Sequence, residues 1–305
     1  MQSDASASFC KYRYHETVTP QALNWQSKLV LLLVVPCIAV SVVLQAHDWS
    51  GNAPAVTLWT LGLSALLGLA AWKLRAGMPA AAATGALLTA SLMFSAAETP
   101  FQPWRSAILP IVAFMVLTSL ATRFGRDGKQ RLGTAEQPHG RGAAQVAANL
   151  GLAALIAQPA AHLWIADCFP DRFDIAIPFF VLALAALAEA AADTVSSELG
   201  QVLGGRPFLL TTLRRVDPGT DGAISLFGTL AGIAAAAAVA ATGTWALHGN
   251  TKTFLLSCAG GVFGLFFDSL LGATLERWSL LNNDAVNFLS TVSAAAFTML
   301  LLPRL

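Results

Sequence analysis

Hydrophobic residues along this chain fall into long runs separated by short polar connections. A transmembrane helix needs about 20 apolar residues to cross the hydrocarbon core. The pattern predicts an all-α fold, a polytopic transmembrane helical bundle of about nine helices: 28–46, 54–72, 78–97, 105–121, 143–163, 175–192, 223–247, 253–274 and 285–302. Residues 1–27 form a polar N-terminal segment, and 28–305 is predicted to be a single membrane-embedded domain.

Composition supports a membrane protein and weighs against two other classes. Of the 305 residues, 55% are hydrophobic and 11% are charged, whereas a soluble domain carries about 25% charged residues. The net charge of +1 argues against a nucleic-acid partner, which requires a strongly basic face. Membrane lipids are therefore the expected surroundings.

The distribution of Lys and Arg predicts the orientation of the bundle. With a cytoplasmic N-terminus, the nine segments place 14 of these residues on the cytoplasmic side and 4 on the other, as the positive-inside rule requires. The three longest loops, 122–142, 193–222 and 274–284, then face the cytoplasm. We expect an integral protein of the cytoplasmic (inner) membrane with its active site on the cytoplasmic side.

Acidic residues lie at the end of the sixth segment and on a stripe of small residues in the eighth. Glu189 and Asp193 are four residues apart and share a helix face, and Glu198 follows them; an ordinary helix leaving the membrane would also acquire such charges. Gly260, Gly264, Asp268, Gly272 and Glu276 recur every four residues. An acid such as Asp268 inside a span is a functional candidate, with a buried structural hydrogen bond as the alternative.

A polar turn and two polar stripes complete the candidate residues. The turn before the seventh segment contains glycines that would aim backbone N–H groups at a phosphate, and Thr220 or Asp221 is expected to cap the following helix. An ordinary capped loop is the competing interpretation. Amides in the stripes would bind a nucleotide or bridge helices. The candidate phosphate-binding residues are Arg214, Arg215, Pro218, Gly219, Thr220, Asp221, Gly222 and Ser225 in the turn, Arg141, Gln145 and Asn149 in one stripe, and Asn282, Asn283 and Asn287 in the other.

These residue types together indicate metal-assisted chemistry on a lipid phosphate. Mg²⁺ takes one or two protein carboxylates together with phosphate oxygens and water, and phosphoryl transfer needs mainly positioning and charge neutralisation. The sequence has no GxxxxGK[ST], HExxH or GxSxG motif, so a P-loop enzyme, a zinc hydrolase of that type and a serine hydrolase are disfavoured.

Five segments of the chain resemble one family of membrane enzymes. ADTVSSELG at 192–200, PGTDGAIS at 218–225, DSLLGATLE at 268–276, NNDAVNFLS at 282–290 and RGAAQVAAN at 141–149 are similar to the family that includes transmembrane protein 19 and plant phytyl-phosphate kinase. A more distant similarity extends to dolichol kinases and CDP-diacylglycerol synthases. The matches occur in order across about 60–305.

The resemblance implies a Mg²⁺-dependent kinase that phosphorylates a prenyl monophosphate, with CTP as donor, in tocopherol-type prenyl salvage. It implies catalytic roles for Asp193 and Asp268, a metal set of Asp193, Glu198, Asp268 and Glu276, and nucleotide binding by the turn and its arginines. Two positions depart from the family pattern: Val195 replaces an aromatic residue, and Asp221-Gly222-Ala223 replaces Asn-Gly-Gly. The second departure bears on the identity of the donor.

Two other functions remain open from the sequence. A cytidylyltransferase that makes a CDP-lipid would use the same parts. A lipid or solute transporter would use Asp268 for coupling, and it should show an inverted repeat with interrupted helices in both halves. Because the ionisable motifs are concentrated in 189–287, the asymmetry favours an enzyme. The sequence leaves oligomeric state open.

Overall fold

The computed structural model of the protein describes residues 24–135, 140–168 and 180–302. Most of the predicted polar segment 1–27 lies outside these ranges, as do four basic residues used in the orientation count: Lys11, Arg13, Arg172 and Arg304. The described chain is mostly helical and has almost no strand, which confirms the predicted all-α bundle. Two strands of two residues each, β1 (Phe208–Leu209) and β2 (Ala223–Ile224), pair antiparallel in one loop.

Eleven α-helices are present in the described residues. In chain order they are α1 (Asn24–Asn52), α2 (Pro54–Lys73), α3 (Pro79–Ser95), α4 (Ile108–Arg123), α5 (Arg126–Leu132), α6 (Ala143–Ile156), α7 (Pro159–Cys168), α8 (Phe180–Leu203), α9 (Leu226–Ala246), α10 (Thr251–Leu271) and α11 (Asn283–Leu301). A π-helical turn, Gly272–Glu276, extends α10.

Six to eight candidate membrane spans are present in the part of the chain that the structure describes, compared with about nine predicted for the whole chain. Six described helices are long and apolar enough to cross a membrane, and up to eight spans result if the bent pairs α4–α5 and α6–α7 each count as one. The third predicted segment, 78–97, forms α3, which has only 17 residues. At 1.5 Å per residue such a helix is about 26 Å long, shorter than the hydrocarbon core of about 30 Å.

Helix α8 lies at the centre of the bundle and packs against α4, α6, α9, α10 and α11. Its alanine-rich sequence explains this position, because small side chains let helices approach closely in lipid. Glycines on α10 have the same effect: a Cβ at Gly261 would lie 2.8 Å from the Ala188 Cβ. Helix α8 continues to Leu203, so the predicted loop 193–222 begins eleven residues later than expected. Val195 and Leu199 keep apolar contacts with the core across this extension.

The connections that carry the candidate residues meet at one end of the bundle. We call this the polar end; it comprises the segments 74–78, 124–135, 140–142, 204–225 and 272–282. The start of α1 also lies here, because the Gln26 side chain donates a 2.8 Å hydrogen bond to the Leu280 carbonyl and accepts a 2.8 Å bond from the Asn282 N–H. The start of α1 is thereby fixed to the α10–α11 loop.

Candidate active site

A polar cavity of about 230 Å³ lies at the polar end, between the last turns of α8, the end of α10 and the loop 204–225. Its walls combine acidic side chains with hydroxyl groups and the glycine-rich turn. Several predicted site residues line it: Asp193, Pro218, Gly219, Thr220, Asp221, Gly222, Ser225, Asp268, Glu276 and Asn283. Elements separated by up to 90 residues in sequence therefore build one site.

Asp193 on α8 and Asp268 on α10 both line this cavity, and their carboxyl groups lie close enough to interact directly. Two ionised carboxylates at such close range repel each other, so the pair requires a shared proton or a bound cation. The Oδ1 atom of Asp268 is buried and has no hydrogen-bond partner among the described residues. The pair is thus arranged to hold a proton or a cation.

Two further acids lie around this pair. Glu189, one helical turn before Asp193, is 1% exposed, and its Oε1 has no hydrogen-bond partner in the described chain. Glu276 lines the cavity from the π-helical turn, a distortion of α-helices that often occurs at functional sites. The charges of Glu189 and Glu276 each interact with those of Asp193 and Asp268.

The turn that closes the cavity is held by a close backbone contact. Gly222 has φ +69°, and a Cβ at this position would lie 2.0 Å from the Ala273 N atom. Gly272 faces it, since a Cβ there would lie 2.8 Å from the Gly222 N atom. Only glycine permits both the left-handed conformation and this distance. The turn therefore docks on the end of α10, directly beside the carboxyl pair.

Helix α9 begins after this turn, with Ser225 as its N-cap. The Ser225 Oγ accepts a 3.1 Å hydrogen bond from the Gly228 N–H, so the expectation that Thr220 or Asp221 caps the helix is wrong. Thr220 instead donates a 2.7 Å hydrogen bond to the Asp217 carbonyl within the turn. Asp221 is partly exposed at the cavity; partial burial raises the pKa of its carboxyl, and the Arg277 guanidinium opposes that rise.

The cavity fits a hard divalent cation bound together with phosphate. Its donors are carboxylate and hydroxyl oxygens, and one carboxylate oxygen is buried without a partner among the described residues. No group of three or more His, Cys, Asp or Glu residues poised to hold a metal is found in the described part of the chain. Two carboxylates, with the remaining positions taken by phosphate oxygens and water, are what Mg²⁺ commonly takes.

The Glu198 side chain, predicted as a metal ligand, contacts α4 and α5 instead of the polar cavity. Its carboxylate accepts a 2.6 Å bond from the Lys129 ammonium and a 2.9 Å bond from the Thr122 hydroxyl, and it does not line the polar cavity. Lys129 was not among the predicted residues, yet it is 1% exposed. Its position between arginines on the short helix α5 gave no sign that it would be buried.

The two predicted arginines of the turn do not reach the cavity. Arg214 and Arg215 are exposed, and the Arg215 guanidinium lies over the Phe208 ring, 5.4 Å from its centroid. This stacking follows from the pairing of β1 with the segment around Arg215. Arg277, which was not among the predicted site residues, is the cation whose charge reaches Asp221.

The amide stripes are only partly at the site. Asn283 lines the cavity, while Asn282 caps α11 by accepting a 2.9 Å bond from the Ala285 N–H. Asn149 and Asn287 are buried and joined by a 3.0 Å hydrogen bond between α6 and α11, so they bridge helices. Gln145 is half-buried on the first turn of α6.

Arg141 lies between this cavity and a second one. It lines the larger cavity of the bundle, and its charge also interacts with that of Asp193. Four polar residues absent from the sequence prediction line the smaller cavity as well: Ser196, Ser197, Gln201 and Ser269. Asp193, Ser197 and Gln201 are spaced four residues apart and therefore share one helix face. That spacing could have indicated Ser197 and Gln201 from the sequence.

The family described as integral membrane protein DUF92 matches residues 62–295 of the chain. The protein belongs to this family. The matched region contains every predicted site residue, and it confirms at family level the resemblance found in the sequence motifs. It also confirms that the protein is an integral membrane protein.

Relatives in this family come from archaea, cyanobacteria and plants. An uncharacterized membrane protein of Methanocaldococcus jannaschii is 45% identical over 109 residues, which cover 36% of this chain and 45% of that protein. An uncharacterized membrane protein of Synechocystis is 31% identical over 204 residues, 64% of this chain and 73% of that one. Protein VTE6, chloroplastic, of Arabidopsis thaliana is 28% identical over 195 residues, 61% and 57% of the two chains. No solved structure matches the chain.

Proposed function

We propose that this protein is a membrane kinase that transfers the γ-phosphate of CTP, or of another nucleoside triphosphate, to an isoprenoid monophosphate such as phytyl or geranylgeranyl phosphate. The product is the isoprenoid diphosphate. The observation that carries the proposal is the adjacent carboxyl pair, Asp193 and Asp268, on the wall of a polar cavity closed by a glycine-rich turn. Membership in the DUF92 family, together with the motif resemblance to phytyl-phosphate kinase, supports the same reaction class.

The reaction needs no general base. A terminal oxygen of the acceptor monophosphate attacks the γ-phosphorus, and a new P–O bond forms. The bond from the γ-phosphorus to the β–γ bridging oxygen breaks, and the nucleoside diphosphate leaves with its electron pair. Because the second pKa of a phosphate monoester is about 6, the attacking oxygen is already deprotonated at neutral pH. Positioning and charge neutralisation then remain as the main tasks.

Residues of the cavity match those two tasks. Mg²⁺ held by Asp193 and Asp268 would neutralise charge on the transferred phosphate. Backbone N–H groups in the turn 218–222 are donors for phosphate oxygens. Buried acids near a nucleotide would repel it in the absence of a cation, so binding of the metal and the nucleotide should depend on each other.

The orientation of the site is part of the proposal. We infer that the polar end faces the cytoplasm, where nucleotides are available, and that the bundle resides in the cytoplasmic membrane. Of the Lys and Arg residues in the described part of the chain, only Arg105 and Lys252 lie at the opposite end of the bundle. The positive-inside rule supports this orientation.

The test is a transfer assay with purified protein in detergent, Mg²⁺, geranylgeranyl monophosphate and CTP or ATP labelled at either the α- or the γ-phosphate. Label that moves from the γ-position into the isoprenoid diphosphate supports the kinase and identifies the donor. Label that moves only from the α-position indicates a cytidylyltransferase that makes a CDP-lipid. Folded protein that transfers neither label would overturn the kinase proposal and favour a transporter.

A further inference from the structure

A second cavity, larger than the first, lies between α2, α3, α4 and α6 and has a volume of about 320 Å³. Its inner wall is apolar, with Leu67, Phe114 and Leu150 from three different helices. At the polar end its mouth carries four arginines: Arg75, Arg123, Arg126 and Arg141. No acidic side chain lines this cavity among the described residues. It therefore combines an apolar interior with a basic mouth.

The mouth is positioned by backbone contacts. Gly140 has φ +78°, and a Cβ there would lie 2.7 Å from the Arg75 carbonyl oxygen. The Arg141 N–H donates a 3.2 Å hydrogen bond to the Ala76 carbonyl, and the Arg141 carbonyl accepts a 3.0 Å bond from the Met78 N–H. These contacts hold the Arg75 and Arg141 backbones side by side, although they are far apart in sequence.

Arg123 is fixed to the same segment, since its guanidinium donates a 2.7 Å hydrogen bond to the Leu74 carbonyl. From Arg123, lining residues continue along α4 to Ile111. About twelve residues at 1.5 Å each correspond to about 18 Å of helix. The cavity is thus deep enough to bury a substantial part of one hydrocarbon chain.

The basic mouth adjoins the acidic site. The charge of Arg141 interacts with that of Asp193, and Thr122, which lines the larger cavity, donates a 2.9 Å bond to Glu198 on α8. Helix α8 carries both Asp193 and Glu198. A phosphate at the arginines would therefore lie near the carboxyl pair.

We propose that this second cavity is the acceptor site, which binds a single-chain isoprenoid monophosphate with its tail between α2, α3, α4 and α6 and its phosphate at the four arginines. The identification as acceptor rests on the kinase function proposed above. Charge complementarity selects this ligand, because a phosphate monoester carries nearly two negative charges at neutral pH and arginine pairs with phosphate in bidentate geometry. Arg141, predicted as a nucleotide- or phosphate-binding residue, is assigned to the acceptor phosphate.

The first experiment measures binding without nucleotide, so that it does not depend on catalysis. Geranylgeranyl monophosphate is titrated into the purified full chain, with geranylgeraniol and phosphatidylglycerol as comparison ligands. We expect the monophosphate to bind most tightly. The double variant Arg75→Gln/Arg126→Gln should weaken it about tenfold or more, while Arg131→Gln, an exposed arginine of α5 outside the cavity, should bind as the wild type does.

The second experiment shortens the cavity. Gly85 lines it, and a Cβ at this position would have only the Val146 Cγ1 nearby, at 3.8 Å, so Gly85→Leu has room to fold with its side chain in the cavity. We expect this variant to lose affinity for geranylgeranyl monophosphate and to keep it for the shorter geranyl monophosphate. Gly62→Leu is the matched control, because Gly62 on α2 is exposed and a Cβ there would meet no atom within 4 Å.

The outcomes separate this inference from the kinase proposal. Monophosphate binding that responds to both sets of variants, in a protein that transfers no label, would support the site and overturn the kinase. Label transfer that is unchanged in Gly85→Leu and in the arginine double variant would overturn the site and leave the kinase intact. Tighter binding of phosphatidylglycerol than of the monophosphate would identify a resident phospholipid and also overturn the inference.

Discussion

Lys129 and Glu198 form an ion pair of 2.6 Å between helices α5 and α8, and their side chains are only 1% and 12% exposed. The Lys129 ammonium also donates to the Ala121 carbonyl at 2.8 Å and to the Thr122 carbonyl at 3.2 Å. The pair therefore ties α5 to the ends of α4 and α8. The same contacts fix Thr122 on the wall of the larger cavity.

Removal of one partner of this pair should destabilise the protein strongly. Lys129→Met leaves the Glu198 carboxylate buried without its cation, a change that typically costs about 3 kcal/mol or more. The double variant Lys129→Met/Glu198→Gln should recover much of that loss, because neither charge remains. Thermal unfolding in detergent measures both variants, with the exposed Lys252→Met as control. If Lys129→Met unfolds at the wild-type temperature, the pair does not hold the two helices together.

Asp193→Asn and Asp268→Asn should abolish nucleotide turnover without loss of stability. An amide cannot supply the charge that holds Mg²⁺, whereas in the absence of ligand it relieves repulsion among the four neighbouring acids. Melting temperatures measured without Mg²⁺ should therefore equal or exceed the wild-type value, and the double variant should be no less active than either single one, since the two act as a unit.

The exposed Asp127→Asn on α5 is the control for these substitutions. A carboxyl pair that served only as a structural hydrogen bond would give the opposite pattern. Activity would persist, and both single variants would melt at lower temperature than the wild type.

The helical architecture was predictable because it follows from apolar run length alone. Helix ends were less predictable: Asp193 looked like the start of a loop, but apolar contacts of Val195 and Leu199 continue α8 to Leu203. A charge near the membrane boundary does not end a helix when the opposite face is still buried.

The acidic residues of the smaller cavity were predictable from their spacing, whereas the arginines at the mouth of the larger cavity were not. Asp193 and Asp268 stood out because acids inside apolar helices are costly. Arg75 lies in an ordinary interhelical turn and Arg123 is the last residue of α4. Long-range contacts of the Gly140, Arg141 and Leu74 backbones bring the mouth of the larger cavity together. Such long-range backbone contacts leave no local pattern in a single sequence. The same limit applies to Arg214 and Arg215. They adjoin the turn in sequence, but the fold does not bring them to the cavity.

Asn149 and Asn287 should prove structural, which favours helix bridging over nucleotide binding, the two roles that the sequence left open. Each amide is buried and bonded to the other at 3.0 Å, so Asn149→Ala leaves a buried polar group unpaired at a cost of about 1–3 kcal/mol. The double variant Asn149→Ala/Asn287→Ala should be less destabilised than the sum of the single ones. We expect the nucleotide KM to stay within about twofold of wild type. A large rise in KM in a variant with unchanged melting temperature would return these amides to the nucleotide site.

Gly222→Ala should abolish nucleotide binding by displacing the turn 218–222. The added Cβ would lie 2.0 Å from the Ala273 N atom and 2.4 Å from the Ser269 carbonyl oxygen, and both are backbone atoms at the end of α10 that have little freedom to move. The turn then has to lift away from the carboxyl pair, which separates the phosphate donors from the acids. Equilibrium binding of Mg²⁺–CTP to the purified variant is the measurement.

Gly205→Ala separates this steric effect from backbone strain. Gly205 lies in the same loop with φ +61°, and a Cβ there meets no atom within 4 Å. Its substitution therefore carries only the left-handed strain of about 1–2 kcal/mol. We expect Gly205→Ala to bind Mg²⁺–CTP nearly as the wild type does, although it melts at a lower temperature. Equal loss of binding in both variants would mean that loop strain, rather than docking of Gly222 on Gly272 and Ala273, controls the site.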